Sequence, residues 1–312
     1  MTKVIRIGTR ESQLAVWQAT EVKELLARNH INAELVFIKS GGDVDLKTPL
    51  YEMGIQGIFT KELDMALLNN RIDVAVHSMK DVPTQLAKGL QQAAVLKRGP
   101  VNDLLVFKND LTQEKYSQLQ ASTSPFRIAT SSIRRKAQWL NKYPDHEIYN
   151  LRGNVNTRLK KLADENWDGA LFAQAGLERV SLRPVHSIIL DWMLPAPAQG
   201  AIAVMCREQD EYSLKACAHF DDKETAICTA IERDFLRTLL GGCSTPVSAL
   251  AEIKNGVLYF KGNILSVDGK QKASIEKTAT VNEAAGMGNL CAIKLLEKDG
   301  QAIADTIRNA TK

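Results

Sequence analysis

Val4-Ile5-Arg6-Ile7-Gly8-Thr9-Arg10-Glu11-Ser12-Gln13-Leu14-Ala15-Val16-Trp17-Gln18 is echoed, more than a hundred residues later, by Arg127-Ile128-Ala129-Thr130-Ser131-Ser132-Ile133-Arg134-Arg135-Lys136-Ala137-Gln138-Trp139-Leu140. Each copy reads as a short buried strand, a hydroxyl-bearing turn and a helix. A later strand recurs too, Arg71-Ile72-Asp73-Val74-Ala75-Val76 in the first half and Asn166-Trp167-Asp168-Gly169-Ala170-Leu171 in the second. Self-similarity on this scale predicts two lobes of one design. Short apolar strands alternating with helices predict βαβ units and sheets with parallel strands. Ligands of such sheets sit beyond the carboxyl ends of the strands, so the turns after both repeat strands are expected to face one cleft. The spacing from Arg6 to Asp73 exceeds that from Arg127 to Asp168. The excess falls around Gly41-Gly42-Asp43-Val44-Asp45 and Gly54-Ile55-Gln56-Gly57, a glycine-bearing stretch without clear period that reads as a mobile loop or lid.

A third region begins near Asp221. Asp221 or Asp222 is a fitting N-cap for a helix whose apolar stripe, Thr225, Ile227, Ile231, Phe235, Leu236 and Leu239, stops at Gly241. Strand-like runs follow at 247–253, 257–266 and 273–281, then a helix from about Asn282 to Glu297. This is an α+β domain of ordinary size. Its first loop, Gly241-Gly242-Cys243-Ser244-Thr245-Pro246, displays a thiol between glycines and a proline. A thiol so placed is a nucleophile, a metal ligand or a covalent anchor, unless it is simply a small core hydrophobe.

The 312 residues are 45% hydrophobic and 24% charged, with a net charge of +4. That is the composition of a globular protein, without an apolar run long enough to span a bilayer. The start of the chain lacks the features of a secretory signal, so the expected location is the cytoplasm. Five scattered cysteines, with no C-x-x-C pair and no histidine at ligand spacing, support neither a disulfide framework nor a metal site. The mild positive excess argues for a local anion site rather than a nucleic-acid surface.

The chemistry concentrates at strand ends. Thr130, Ser131 and Ser132 end a strand and open a helix, where hydroxyls, backbone N–H groups and the helix dipole favour an anion. Arg134 and Arg135 follow, Arg152 and Arg158 lie on another strand-to-helix turn, and Arg10 with Ser12 occupies the matching turn of the first lobe. Arginine grips carboxylate or phosphate through a planar fork, so this cluster points to a ligand with several carboxylates. In His77-Ser78-Met79-Lys80-Asp81-Val82-Pro83, Asp81 lies just past a strand end, in position to stabilise a cation or move a proton. His77 is read as a strand-end core residue without chemistry.

Taken in order, Arg10 and Ser12, Phe59-Thr60-Lys61-Glu62-Leu63, the 76–83 stretch, Thr130 to Arg135, Leu151 to Arg158, Gln199-Gly200-Ala201 and Gly241-Gly242-Cys243 resemble the porphobilinogen deaminase (hydroxymethylbilane synthase) family. The resemblance is collinear over nearly the whole chain. It implies an α/β fold of two periplasmic-binding-protein-like lobes with mixed, mostly parallel sheets and a small C-terminal α+β domain. The implied boundaries are residues 1–99 with 198–219, residues 100–197, and residues 220–312. It also implies a transferase that joins four porphobilinogen molecules head to tail with loss of ammonia, giving hydroxymethylbilane for tetrapyrrole synthesis. Cys243 is implied to hold a dipyrromethane cofactor by a thioether. Ser78, Lys80, Thr130, Ser131, Ser132, Arg134 and Arg135 are implied to bind that cofactor. Arg10, Ser12, Gln18, Phe59, Arg152, Arg158, Arg179 and Gln199 are implied on the substrate side, with Asp81 catalytic. A monomer without metal, nucleic-acid or membrane partners is expected.

Three positions depart from the family pattern. Gln56 stands where lysine is usual, Leu240 where an acidic residue is common, and Arg98-Gly99-Pro100-Val101-Asn102-Asp103 is an atypical crossover. Two other classes compete. A non-enzymatic binder of small anions needs neither Cys243 nor Asp81, and a cysteine hydrolase needs a base near Cys243 that the sequence does not offer.

Overall fold

A computed structural model of the chain describes residues 3–39, 60–109, 112, 114, 116, 125–239 and 245–310. Cys243, Phe59, Gln56, Leu240 and the lid-like stretch from Gly41 to Gly57 lie outside the described residues. The first part runs β1 (Ile5–Thr9), α1 (Gln13–Arg28), β2 (Ala33–Phe37), α2 (Lys61–Leu68), β3 (Val74–Ser78) and β4 (Leu90–Val95). Next come β5 (Asp103–Phe107), β6 (Arg127–Ala129), α3 (Ile133–Lys142), β7 (Glu147–Tyr149), α4 (Val155–Asp164), β8 (Gly169–Ala173), α5 (Gln174–Arg179) and β9 (Ser187–Leu190). The chain continues through β10 (Ile202–Arg207), α6 (Glu211–Ala218), α7 (Lys223–Leu239), β11 (Val247–Lys254), β12 (Val257–Leu265), β13 (Lys272–Thr280), α8 (Met287–Leu295) and α9 (Gln301–Ala310).

The two larger sheets have one design. Their orders are β2-β1-β3-β10-β4 and β7-β6-β8-β5-β9, and in each the fourth strand runs against the others. Both sheets are therefore mixed, with four strands pointing one way. The antiparallel strand comes from across the molecule in both cases, since β10 returns to the first sheet after the second is built. The repeat extends to buried charge. Arg6 reaches Asp73 through its backbone N–H at 3.0 Å and Nε at 2.9 Å, and Arg127 reaches Asp168 in the same two ways at 2.8 and 3.2 Å. Burial works against the Asp73 carboxylate, but the Arg6 and Arg207 hydrogen bonds overcome it and hold the group at about 2.

The two crossing segments touch. Gly99 N–H donates to Gly200 O at 3.1 Å, and Gly200 has φ +86. A Cβ at Gly200 would stand 2.7 Å from Gly99 O, so both the backbone angle and the close approach require glycine.

In the C-terminal unit β11, β12 and β13 form an antiparallel meander covered by α7 and α8, with Phe235 and Phe260 edge-on at 5.2 Å in its core. Asp222 caps α7 by accepting from Thr225 N–H at 2.8 Å, while Asp221 accepts from Val95 N–H of the first lobe. The helix expected from about Asn282 is corrected. Thr280 and Glu283 close a capping box around a single 3₁₀ turn, and Gly286 at φ +71 delays α8 to Met287. A π-helical turn, Leu296–Gly300, then leads into α9, which seats Ile303, Ala304 and Ile307 in the core.

This unit is fastened to the crossing segments by one buried pair. Arg98 donates to both oxygens of Glu232 at 2.6 and 2.9 Å, and the same carboxylate accepts from Ala198 N–H and Ala251 N–H. Glu232 is fully buried. Removing one partner of such a pair leaves an uncompensated charge away from water. Glu232→Gln is expected to lower the unfolding free energy by about 3 kcal/mol in urea titrations; an unchanged midpoint would show the joint to be dispensable.

Candidate active site

Between the two lobes, at the carboxyl ends of β1, β3, β6 and β8, lies a cleft of about 570 Å³. Among the described residues its lining includes seven cationic side chains, from Arg10, Lys80, Arg134, Arg135, Arg152, Arg158 and Arg179, against two carboxylates, Glu11 and Asp81. Local sequence explains how they arrive. Ser12 caps α1 by accepting from Ala15 N–H, and Ser132 caps α3 by accepting from Arg135 N–H, both at 3.4 Å. Asn154 caps α4 by accepting from Thr157 N–H at 3.0 Å. Each cap ends a strand-to-helix turn at the cleft, and Arg10, Arg134, Arg135, Arg152 and Arg158 project from those turns or the helix starts beside them, whereas Lys80 comes from the turn after β3 and Arg179 from the end of α5.

The arginines are not all equally available. Asp103, at the start of β5 and fully buried, takes Arg134 Nη2 at 2.7 Å, Arg135 Nη2 at 2.7 Å and Nε at 3.0 Å, and Gln199 Nε2 at 3.0 Å. Burial alone would raise its pKa, yet the two guanidinium groups hold it at about 2. Arg135 spends its remaining Nη1 on Leu171 O, and Arg134 Nη1 goes to Leu194 O at 2.9 Å. Arg134 Nε and Gln199 Oε1 remain buried without a protein hydrogen bond. Asp103 thus cancels one of two adjacent positive charges and fixes the orientation of both.

Burial, together with the guanidinium groups of Arg135 and Arg134, brings the Lys80 ammonium down to about 8 despite the attraction of Asp81 and Asp103. Burial and Arg135 likewise bring Arg158 to about 10, again against Asp81. Burial lowers Arg179 to about 10; it donates to Gly200 O at 2.6 Å and lies 5.7 Å from the Trp17 ring centroid. Cations that depress one another are held in place by the fold and are relieved when anions enter. Asp81 sits half-buried in the turn Met79–Asp81, and its carboxylate makes no hydrogen bond to another described residue.

Other candidates take supporting positions. Gln18 and Ser78 bond each other at 2.9 Å across α1 and β3, and Ser131 donates to Leu151 O at 2.7 Å. Thr130 does not line the cleft; its hydroxyl accepts from Ser132 N–H inside the turn. His77 is buried and pushed down to about 4, first by burial and then by Arg10, so it is neutral. Leu236 and Thr245, which flank the segment carrying Cys243, both line the cleft.

The chain matches two family models, "Porphobilinogen deaminase, dipyromethane cofactor binding domain" over residues 5–215 and "Porphobilinogen deaminase, C-terminal domain" over residues 226–297. It is 39% identical over 309 residues to the porphobilinogen deaminase of Trichlorobacter lovleyi, covering 98% of this chain and 97% of that one. The chain belongs to the porphobilinogen deaminase family. The family's Syntrophomonas wolfei member is 40% identical over 303 residues, covering 96% of this chain and 97% of its own. Among solved structures, the methionine binding protein MetQ is similar at TM-score 0.43 and 12% identity, covering 72% of this chain and 92% of that one. The family's cofactor is dipyrromethane, and its cofactor-binding domain spans both lobes here.

Two buried carboxylates, one behind the cleft arginines and one at the joint to the C-terminal unit, escape a reading of the sequence. Asp103 and Glu232 lie in an apolar strand and an amphipathic helix, and their partners are 32 and 134 residues away. The available signal is the charge itself, because a carboxylate at a buried position demands a cationic partner. A pH test follows for Asp103. Its pKa is depressed on folding, so its stabilisation is complete above its unfolded pKa near 4 and is lost as the pH falls toward 2, on the order of 2 kcal/mol. Stability of the wild type is expected to fall more steeply over that window than that of Asp103→Asn; parallel curves would remove Asp103 from the acid response.

Proposed function

We propose that this cleft joins four porphobilinogen molecules head to tail, releasing ammonia, on a dipyrromethane tethered to Cys243, and delivers hydroxymethylbilane. The observation that carries the reading is the gathering of seven cationic side chains around the half-buried carboxylate of Asp81. Porphobilinogen brings an acetate and a propionate on each pyrrole, so every unit supplies two anions for the arginines and one ring N–H for a carboxylate.

The donor set suits a dipyrromethane. Arg134 Nε is an unspent buried donor and Gln199 Oε1 an unspent buried acceptor, the two kinds of group that carboxylates and pyrrole N–H groups satisfy. Ser78, Lys80, Ser131, Ser132, Arg134 and Arg135 would hold it, with Thr130 shaping the turn. Bound through Cys243, the group supplies the free pyrrole carbon to which the first porphobilinogen is joined.

This chain's own side chains do the rest. Arg10, Arg152, Arg158 and Arg179, with Ser12, Gln18, Phe59 and Gln199, bind and orient the incoming carboxylates and ring. When ammonia leaves the aminomethyl arm, positive charge spreads over the substrate pyrrole, and Asp81 stabilises it by accepting from the ring N–H. The fixed cations cost no reorganisation at that moment. The enzyme of this reading works as a monomer in the cytoplasm. Among the described residues no helix is long and apolar enough to cross a membrane.

The test is direct. Purified protein given porphobilinogen is expected to release one ammonia per porphobilinogen and to yield a linear tetrapyrrole. Binding of porphobilinogen without ammonia release would leave only an anion-binding protein.

A further inference from the structure

We infer that Arg233, on α7 of the C-terminal unit, is a positioning residue for Asp81. Its Nη1 donates to Val82 O at 2.8 Å and to Met79 O at 3.4 Å, and its Nη2 donates to Pro83 O at 2.6 Å. These carbonyls bracket Asp81 in the turn that leaves β3. That turn closes on itself through Val82 N–H to Met79 O at 3.1 Å and is tied to the return segment by Met79 N–H to Ala201 O at 3.0 Å. The first joins Val82 to Met79 within the turn, and the second ties Met79, upstream of Asp81, to the rest of the lobe. Pro83 has no N–H to give, so Arg233 supplies a hold on the downstream side.

Simple docking of the C-terminal unit does not account for this choice of partners. The neighbouring Glu232 already fastens α7 to Arg98, Ala198 and Ala251. Arg233 reaches past that joint to the turn bearing Lys80 and Asp81. Arginine reaches these carbonyls from two nitrogens of a planar fork, where lysine has a single ammonium nitrogen, which makes the two unequal here. The same helix ends at Leu239, a few residues before Cys243 in the sequence. The inference rests on the proposed charge-stabilising role of Asp81. A carboxylate displaced by about 1 Å from the charge it serves costs on the order of a hundredfold in rate.

The test uses the holoenzyme. Arg233→Met is expected to retain the dipyrromethane adduct by intact mass spectrometry and to lower kcat on the order of a hundredfold, with KM for porphobilinogen nearly unchanged. Asp81→Glu, which keeps the charge but moves it by a methylene, gives the second arm. If Arg233 acts through Asp81, the double variant is no slower than the slower single one. Arg233→Lys is expected to recover part of the rate, and it replaces Arg233→Met in the cycle if the methionine variant yields no holoenzyme. A wild-type kcat in the Arg233 variant, or losses that multiply in the double variant, overturns the inference. Full turnover in Asp81→Asn is a separate outcome that overturns the underlying reading of Asp81 instead.

Discussion

Cys243→Ala is expected to come from a porphobilinogen-producing host without any pyrrole adduct and without measurable turnover. The other four cysteines cannot take over. Cys206, Cys217, Cys228 and Cys291 are all buried, and burial raises every one of their thiols, to about 11, 12 and 11 for the first three. A thioether forms from a thiolate or an accessible thiol, and none of these is either near neutral pH. Cys243→Ser is expected to behave like the alanine variant, because a hydroxyl is a far weaker nucleophile at the same place. Intact mass spectrometry reads both, with two pyrrole units expected on the wild type and none on the variants. An adduct on Cys243→Ala, or wild-type activity without one, would remove the tether from the proposed chemistry.

Much of the architecture was legible because the two lobes repeat. Strand, hydroxyl turn and helix recur at Ile5 to Trp17 and at Arg127 to Leu140, and the same arginine-aspartate pair closes each lobe at Asp73 and Asp168. The turns carrying Arg10, Arg134, Arg135, Arg152 and Arg158 were legible for a related reason: polar and cationic residues concentrated where buried strands end. Periodicity says nothing of which sheet a strand joins. The apolar runs of β5 and β10 look alike; the family resemblance implies that residues 198–219 return to the first lobe, and the pairing puts β10 in the first sheet and β5 in the second. The joints at Asp103, Glu232 and Arg233 were hidden for another reason. A buried polar residue is recognised by its partner, and these partners are brought together by tertiary packing rather than by spacing along one element. The helix Gln301–Ala310 does show a stripe, Ile303, Ala304 and Ile307, but one turn-and-a-half of apolar spacing after Gly300 is a weak sign by itself.

Among the cationic groups of the cleft, Asp81 presents the opposite charge with its oxygens uncommitted to other described residues. The arginines attract substrate carboxylates, yet by themselves they oppose the positive ring that forms when ammonia departs. At a partly dehydrated site that opposition is strong, since unit charges interact far more strongly there than in water. In the proposed reaction a carboxylate placed against the ring N–H reverses the sign locally while the cations hold the substituents, so that binding and reaction would use separate parts of one field. Asp81→Asn keeps the shape and loses the charge. Its kcat is expected to fall on the order of 10³-fold, the scale of deleting a preorganised electrostatic contact in a transition state. KM should change little, because the carboxylate grips proposed for Arg10, Arg152 and Arg158 remain. The adduct on Cys243 is expected to persist, which separates loss of rate from loss of cofactor in one preparation. Single-turnover ammonia release by adduct-bearing Asp81→Asn is the decisive measurement. If it proceeds at the wild-type rate, the positive charge is stabilised elsewhere in the cleft, and Lys80 and Arg158, whose pKa values Asp81 raises, are the groups whose balance must then be reconsidered.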